Sequence, residues 1–209
     1  MTGGPPRFVL ASASPARRTL LAAAGIDAEV IVSGAEESTS SASSVAQLTA
    51  ELATRKAEAV AAGIEGGVVL GCDSLLEFDG AACGKPADAG QAREVWRQLA
   101  GRTGVLHTGH CLIDRRAGGS DHQVLTASTT VHFGEPSPAE LTAYVRTGEP
   151  LAVAGAFTLD GRGGWWIEWI DGDHGTVLGL SLPTLRRMLA CIGLSPVDFW
   201  RPTAAADTS

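Results

Sequence analysis

Cysteine is scarce and scattered in this chain of 209 residues: Cys72, Cys83, Cys111 and Cys191 lie far apart and form no C-x-x-C pair. That spacing signals neither a disulfide framework nor a zinc site, and the four are read as reduced core thiols. Positive charge is also short, with 16 Lys and Arg against 23 Asp and Glu and a net charge of -7. An acidic chain repels a polyphosphate backbone unless its basic residues are locally gathered, so no nucleic-acid polymer is expected as a partner. A small phosphorylated ligand stays open. No apolar run reaches about 18 residues, and the opening "MTGGPP" has neither the basic nor the apolar region of a secretory leader. No membrane partner and a cytoplasmic location are therefore the expectations.

Several well-marked chemistries are missing as well. There is no G-x-x-x-x-G-K-[ST], no H-E-x-x-H, no G-x-S-x-G and no G-x-G-x-x-G between a strand and a helix. His107 and His110 stand three apart in a segment that reads as a strand, so they face opposite sides and make a poor ligand pair.

Alternating strand-like and helix-like segments are present, and they predict an α/β or α+β fold. One domain over residues 7–202 is expected, between small or polar tails at 1–6 and 203–209. The expected strands are Phe8–Ala11, Glu29–Val32, Val68–Cys72 continuing into a hairpin turning at Asp79-Gly80, Val105–Ile113 and Gln123–Phe133. "GGWWIEWIDG" reads as a further strand with Trp165, Ile167 and Trp169 on one face. Helices are expected over Pro15–Ala24, Val45–Ala62, Ala89–Leu99, Pro138–Arg146 and Pro183–Ile192.

Four charged positions sit where local structure should not want them. Ser14 followed by Pro15 is a good helix start, which puts Arg17 and Arg18 in the first turn, against the positive end of the helix dipole. Either both are solvated and tolerated, or an anion completes the site with the free N–H groups and the Ser12 and Ser14 hydroxyls. Lys56 falls on the apolar stripe that Val45, Leu48, Leu52 and Ala59 define on the long helix. It either snorkels to the helix edge or points into a polar cleft. Asp73 follows a buried run, so its carboxylate either caps a turn or emerges at a strand end to hold a metal or orient a water. Lys85 in "GKP", like Glu36 and Glu37 in "GAEES", signals little alone. As a set, these groups suit a metal-assisted phosphate site.

In order and spacing, "LASASPARRTLL", "RKA", "GCDSLLEFDGAACGKP", "LAGRTGVLHTG", "TTVHF", "YVRTGEPLAVAGAF" and "IDGDHGTVLGLSLPTLRRML" resemble the motifs of the Maf family. That family comprises nucleoside triphosphate pyrophosphatases and is also known as septum formation inhibitor. The resemblance implies a two-lobed α/β fold around a mixed, twisted sheet, with a cleft like that of inosine triphosphate pyrophosphatases and often a homodimeric assembly. It implies hydrolysis of a nucleoside triphosphate between its α and β phosphates with a divalent cation, Mg²⁺ or Mn²⁺. Carried over by motif, Ser12 and Arg17 resemble phosphate contacts, Glu37 and Asp73 the acidic group around metal and water, and Lys56 and Lys85 lysines that clamp the triphosphate. The family name also implies a competing role, a nucleotide-binding regulator of cell division with little turnover. Ala16, Val153 and Asp160 depart from the family pattern, where an arginine, a lysine and a glutamine are common. They put substrate choice in doubt more than reaction type.

Overall fold

Three buried apolar residues make β1 (Phe8–Leu10) the seed of a central sheet. The structure is a computed structural model that describes residues 4–34, 40, 42–116 and 122–200. Helix α1 (Pro15–Ala23) starts where the sequence signals it, with the Ser14 hydroxyl accepting the Arg17 N–H and Pro15 at the first helical position. It ends before Gly25, whose φ of +84° is a left-handed conformation that glycine adopts without strain. Short β2 (Glu29–Val30) and long α2 (Val45–Ala61), capped by Ser44, follow. Strand β3 (Val68–Phe78) turns through Asp79 and Gly80, both at positive φ, into β4 (Ala81–Cys83). Next come α3 (Ala89–Leu99), β5 (Thr103–Asp114), β6 (His122–Phe133) and α4 (Pro138–Arg146). The chain closes with β7 (Ile167–Asp171), the short α5 (His174–Leu178) and α6 (Leu182–Cys191).

The seven strands form one mixed sheet in the order β2-β1-β3-β5-β6-β7, with β4 paired to the far end of β3. Only the β1–β2 and β1–β3 pairs are parallel. Register matters most along β3. Strand β1 stops with Leu10 opposite Leu70, and β4 ends with Cys83 opposite Leu76. The edge of β3 between them, Gly71 to Leu75, has no described strand on that side. Into this gap the chain delivers the end of β1 and the start of α1.

Helix α2 covers one face of the β1–β3–β5 half, packing Ala53, Ala57 and Val60 on Val9, Val69, Cys111 and Ile113. The opposite face carries α1 and α6, whose Leu21, Leu185, Met188 and Leu189 meet Leu10, Leu70 and Leu112. A second core lies beyond Leu76, where α3 and α4 enclose Trp96 with Leu106, Val131, Phe133, Tyr144 and Phe157. Trp96 meets Phe133, Tyr144 and Trp166 edge-on, and its indole N–H donates to the Ala156 carbonyl at 2.7 Å. The result is the mixed α/β fold expected from the alternation of segments, with cores at both ends of three long strands.

Some expectations need correction. The buried stripe of α2 runs through Val45, Thr49, Leu52, Ala53, Ala57, Val60 and Ala61, while Ala59 is exposed and Leu48 only half-buried. Small residues line this face because the helix lies directly on the sheet, a tertiary fact that a hydrophobicity wheel does not carry. Strand β3 continues through Cys72 into the hairpin turning at Asp79-Gly80, as expected, but it runs unbroken to Phe78, so Asp73 is a mid-strand residue rather than a strand end. Trp165 falls in a 3-10 segment before β7 and is exposed, whereas Trp166 packs on the second core. Of the cysteines, Cys72 and Cys111 are buried, Cys83 is half-buried and Cys191 is exposed. Burial pushes the Cys72 thiol up to about 12 and that of Cys111 up to about 11.

Candidate active site

Backbone crowding builds the first half of the site. A side chain at Gly71 would collide with the Ala53 carbonyl of α2, and one at Gly109 with the Thr49 carbonyl. Opposite strands β3 and β5 thus present bare backbone to the helix, and α2 settles close enough for Lys56 to reach across. Its ammonium forms an ion pair with the Asp73 carboxylate. Both side chains are mostly buried, 19% exposed for Lys56 and 10% for Asp73. Such a pair is costly to break from one side, because the partner is left as an uncompensated, poorly hydrated charge.

The second half lies on the other face of β3. Arg17 is buried, and each nitrogen of its guanidinium donates one hydrogen bond, tying three segments together. Nη1 donates to the Ser12 hydroxyl at 2.8 Å, Nη2 to the Ser74 hydroxyl at 2.9 Å, and Nε to the Gly179 carbonyl at 2.7 Å. The chain of hydroxyls continues: Ser74 and Thr108 are 2.9 Å apart, and Thr108 donates to the Thr176 carbonyl at 2.8 Å. Since that commits the Thr108 proton, Ser74 donates to Thr108 and accepts from Arg17. Ser74 directly follows Asp73, so this network fixes the strand at the carboxylate from behind.

Ser12 also accepts the Ser14 N–H at 3.3 Å, which shapes the turn into α1. A groove of about 550 Å³ opens beside that turn, lined by Ser12, Ser14, Arg18 and Thr19 among others. The two arginines of the first turn therefore part ways, Arg17 inward and Arg18 outward into the groove.

Lys85 stands apart from both groups, exposed in the loop after β4. That loop borders a smaller hollow of about 230 Å³ with Phe78, Gln91 and Val95. It is held by a hydrogen bond from the Gly155 N–H to the Gly84 carbonyl at 3.1 Å. The segment Val153–Phe157 thus buttresses the lysine loop. Glu37, and Glu36 beside it, lie outside the described residues.

His107 and His110 face opposite sides of the sheet, as their spacing in a strand requires. His110 faces α6, where its Nε2 accepts the Ser181 N–H at 2.9 Å, and burial with the nearby Arg17 charge pushes it down to about 4. His107 faces the α2 side, between Glu77 and Ser128. Sequence reading did not single out Glu77 or Ser128. The available signal was alternation, since residues 73, 75 and 77 of one strand must share a face.

No group of three metal-ligating side chains is present among the described residues. That donor set still fits a small divalent cation. Mg²⁺ is commonly held by one or two carboxylates plus substrate phosphates rather than by an all-protein cage, and Asp73 supplies one hard oxygen ligand beside Lys56. The cation itself is not part of the structure.

A mixed α/β sheet thus carries, along its central strand, an edge that no described strand flanks, a buried lysine–carboxylate pair and the start of α1. Residues 7–192 match the family model described as "Maf-like protein". The chain is 54% identical over 198 residues to a protein of Streptomyces avermitilis, covering 94% of this chain and 95% of that one. A Streptomyces coelicolor relative gives the same identity and coverage. One from Salinispora tropica is 53% identical over 206 residues, covering 96% and 90%. All three carry the name nucleoside triphosphate pyrophosphatase. The chain belongs to the Maf family.

Proposed function

We propose that this protein is a nucleoside triphosphate pyrophosphatase that hydrolyses the bond between the α and β phosphates and releases a nucleoside monophosphate and pyrophosphate. The observation that carries the reading is the Lys56–Asp73 pair, placed at the stretch of β3 whose edge no described strand covers. The names of relatives sharing about half of its residues support the same activity.

Asp73 accepts a proton from the attacking water, which must lie in line with the departing pyrophosphate. Lys56 offers three N–H donors, so one can remain on Asp73 while others meet phosphate oxygens. Ser12, Ser14 and the first N–H groups of α1 hold phosphate oxygens from the neighbouring strand end. Arg17 keeps that turn and β3 in register through Ser12, Ser74 and Gly179, and any phosphate contact it makes adds to those bonds. Lys85 reaches the triphosphate from its exposed loop. Asp73 and Glu37 would hold Mg²⁺ or Mn²⁺ together with the phosphates, and the ion supplies charge neutralisation on the leaving pyrophosphate. A cytoplasmic nucleotide pool is the setting, where the enzyme removes surplus or non-standard triphosphates, and a homodimer is the working assembly.

Pyrophosphate release from a panel of triphosphates tests this, with Mg²⁺, Mn²⁺ or EDTA. Turnover that EDTA abolishes is expected. Thermal stabilisation by nucleotide with no turnover would instead mark a nucleotide-binding regulator.

A further inference from the structure

Helix α2 covers only part of its face of the sheet. Its first turn reaches β6, where the Thr126 hydroxyl donates to the Ala46 carbonyl, and its body rests on Gly109 and Gly71. Alternation places Leu75 and Glu77 of β3, Val105 and His107 of β5 and Ser128 of β6 on that same face, just past the helix. Leu75, Glu77 and Val105 are half-buried and Ser128 is exposed, so this floor opens to solvent next to Asp73.

Three of these residues are organised rather than merely adjacent. His107 is buried, with Nε2 3.0 Å from Glu77 Oε2 and Nδ1 2.7 Å from Ser128 Oγ. A carboxylate only accepts, so Nε2 carries the proton, and in the neutral ring Nδ1 accepts the Ser128 hydroxyl. The imidazole therefore acts as a fixed strut between two strands. It holds the Glu77 carboxylate, 34% exposed, upright on the floor. Each carboxylate oxygen can accept two hydrogen bonds, so His107 leaves both oxygens able to receive another donor.

We propose that Glu77, oriented by His107 and Ser128, reads the nucleobase of the substrate. The inference rests on the pyrophosphatase reading and extends it to the far end of the same ligand. Glu77 lies four residues along β3 from Asp73 and on the same face, about 13 Å of strand, a separation on the scale of one extended nucleoside triphosphate. Its chemistry selects the base. A carboxylate matches an edge with two adjacent N–H donors, as guanine offers with N1–H and its 2-amino group. Uracil and thymine present a single N–H between two carbonyls and would set oxygen lone pairs against the carboxylate. Buried or clamped groups that lose a partner penalise the wrong ligand strongly.

The test compares kcat/KM for GTP and ITP in the full-length protein with Mg²⁺. Hypoxanthine lacks only the 2-amino group, so the comparison isolates the paired contact. The wild type is expected to favour GTP by about tenfold or more, in line with a bidentate base contact, and Glu77→Gln to bring the ratio near one. Ser128→Ala should lower the ratio partway by loosening the strut. Equilibrium binding of GMP and IMP, measured by calorimetry on the same proteins, reads the subsite independently of catalysis. A GTP-to-ITP ratio near one in the wild type, or one that Glu77→Gln leaves unchanged, would overturn the assignment, as would equal GMP and IMP affinities. Absence of turnover with every triphosphate would overturn the pyrophosphatase reading instead, and the monophosphate binding would still decide the role of Glu77.

Discussion

Arg17 and Arg18 are neighbours in sequence with unlike surroundings. Arg17→Ala removes a buried guanidinium and strips partners from Ser12, Ser74 and the Gly179 carbonyl. Each lost bond to a charged donor costs on the order of 1–3 kcal/mol, so a loss of about 3 kcal/mol or more is expected in denaturant unfolding. Turnover should suffer accordingly. Arg17→Lys should rescue little, because a single ammonium cannot span three acceptors in a planar fork. Arg18→Ala, on the groove side, should stay within about 0.5 kcal/mol of the parent. The helix start itself was readable, since Ser14 and Pro15 announce it. The inward turn of Arg17 was not, because its partners Ser74 and Gly179 lie 57 and 162 residues away.

Among the elements, α2 and its two glycine seats set the active geometry. Gly109→Ala or Gly71→Ala forces the helix away from the sheet, since the obstructing atoms belong to backbone rather than to flexible side chains. Overpacking of this kind costs about 1–3 kcal/mol, seen as a lower midpoint in urea. It should also lower kcat more than the stability loss explains, because Lys56 is carried away from Asp73. Helix boundaries were mostly legible: α3 and α4 match their expected ranges, and α1, α2 and α6 differ at their ends by a residue. The length of β3 was not, because a run that changes from fully buried to half-exposed looks like two segments until β4 and β5 show it to be one. Lys56 was visible as a lysine in the wrong place. Its partner depended on how close the helix sits, which the glycines decide and no single-helix pattern contains.

Across the whole molecule, one buried histidine couples folding to pH. His110 is held near 4 by burial and the Arg17 charge, while an unfolded histidine titrates near 6.5. The folded state therefore resists protonation, so the contribution is present above about pH 6.5 and is lost as pH falls toward 4. Between pH 7 and pH 5 this group alone removes about 2 kcal/mol. Chemical denaturation at the two pH values should show that loss, and His110→Asn should flatten it. The mixed sheet and its family were legible from ordered motifs spread along the chain. The open edge of β3 emerged only from the register, since it depends on where β1 and β4 each stop.

In the proposed reaction, Asp73 drives hydrolysis at that open edge. The most direct measurement is pyrophosphate release by the wild type and Asp73→Asn under saturating triphosphate and Mg²⁺, with a melting curve for each. The amide keeps the shape and accepts a hydrogen bond from Lys56 but leaves that ammonium uncompensated, so the melting temperature should drop, while kcat of the folded variant should fall by about a hundredfold or more, as expected for loss of a general base. Undiminished turnover in a folded Asp73→Asn variant would contradict it.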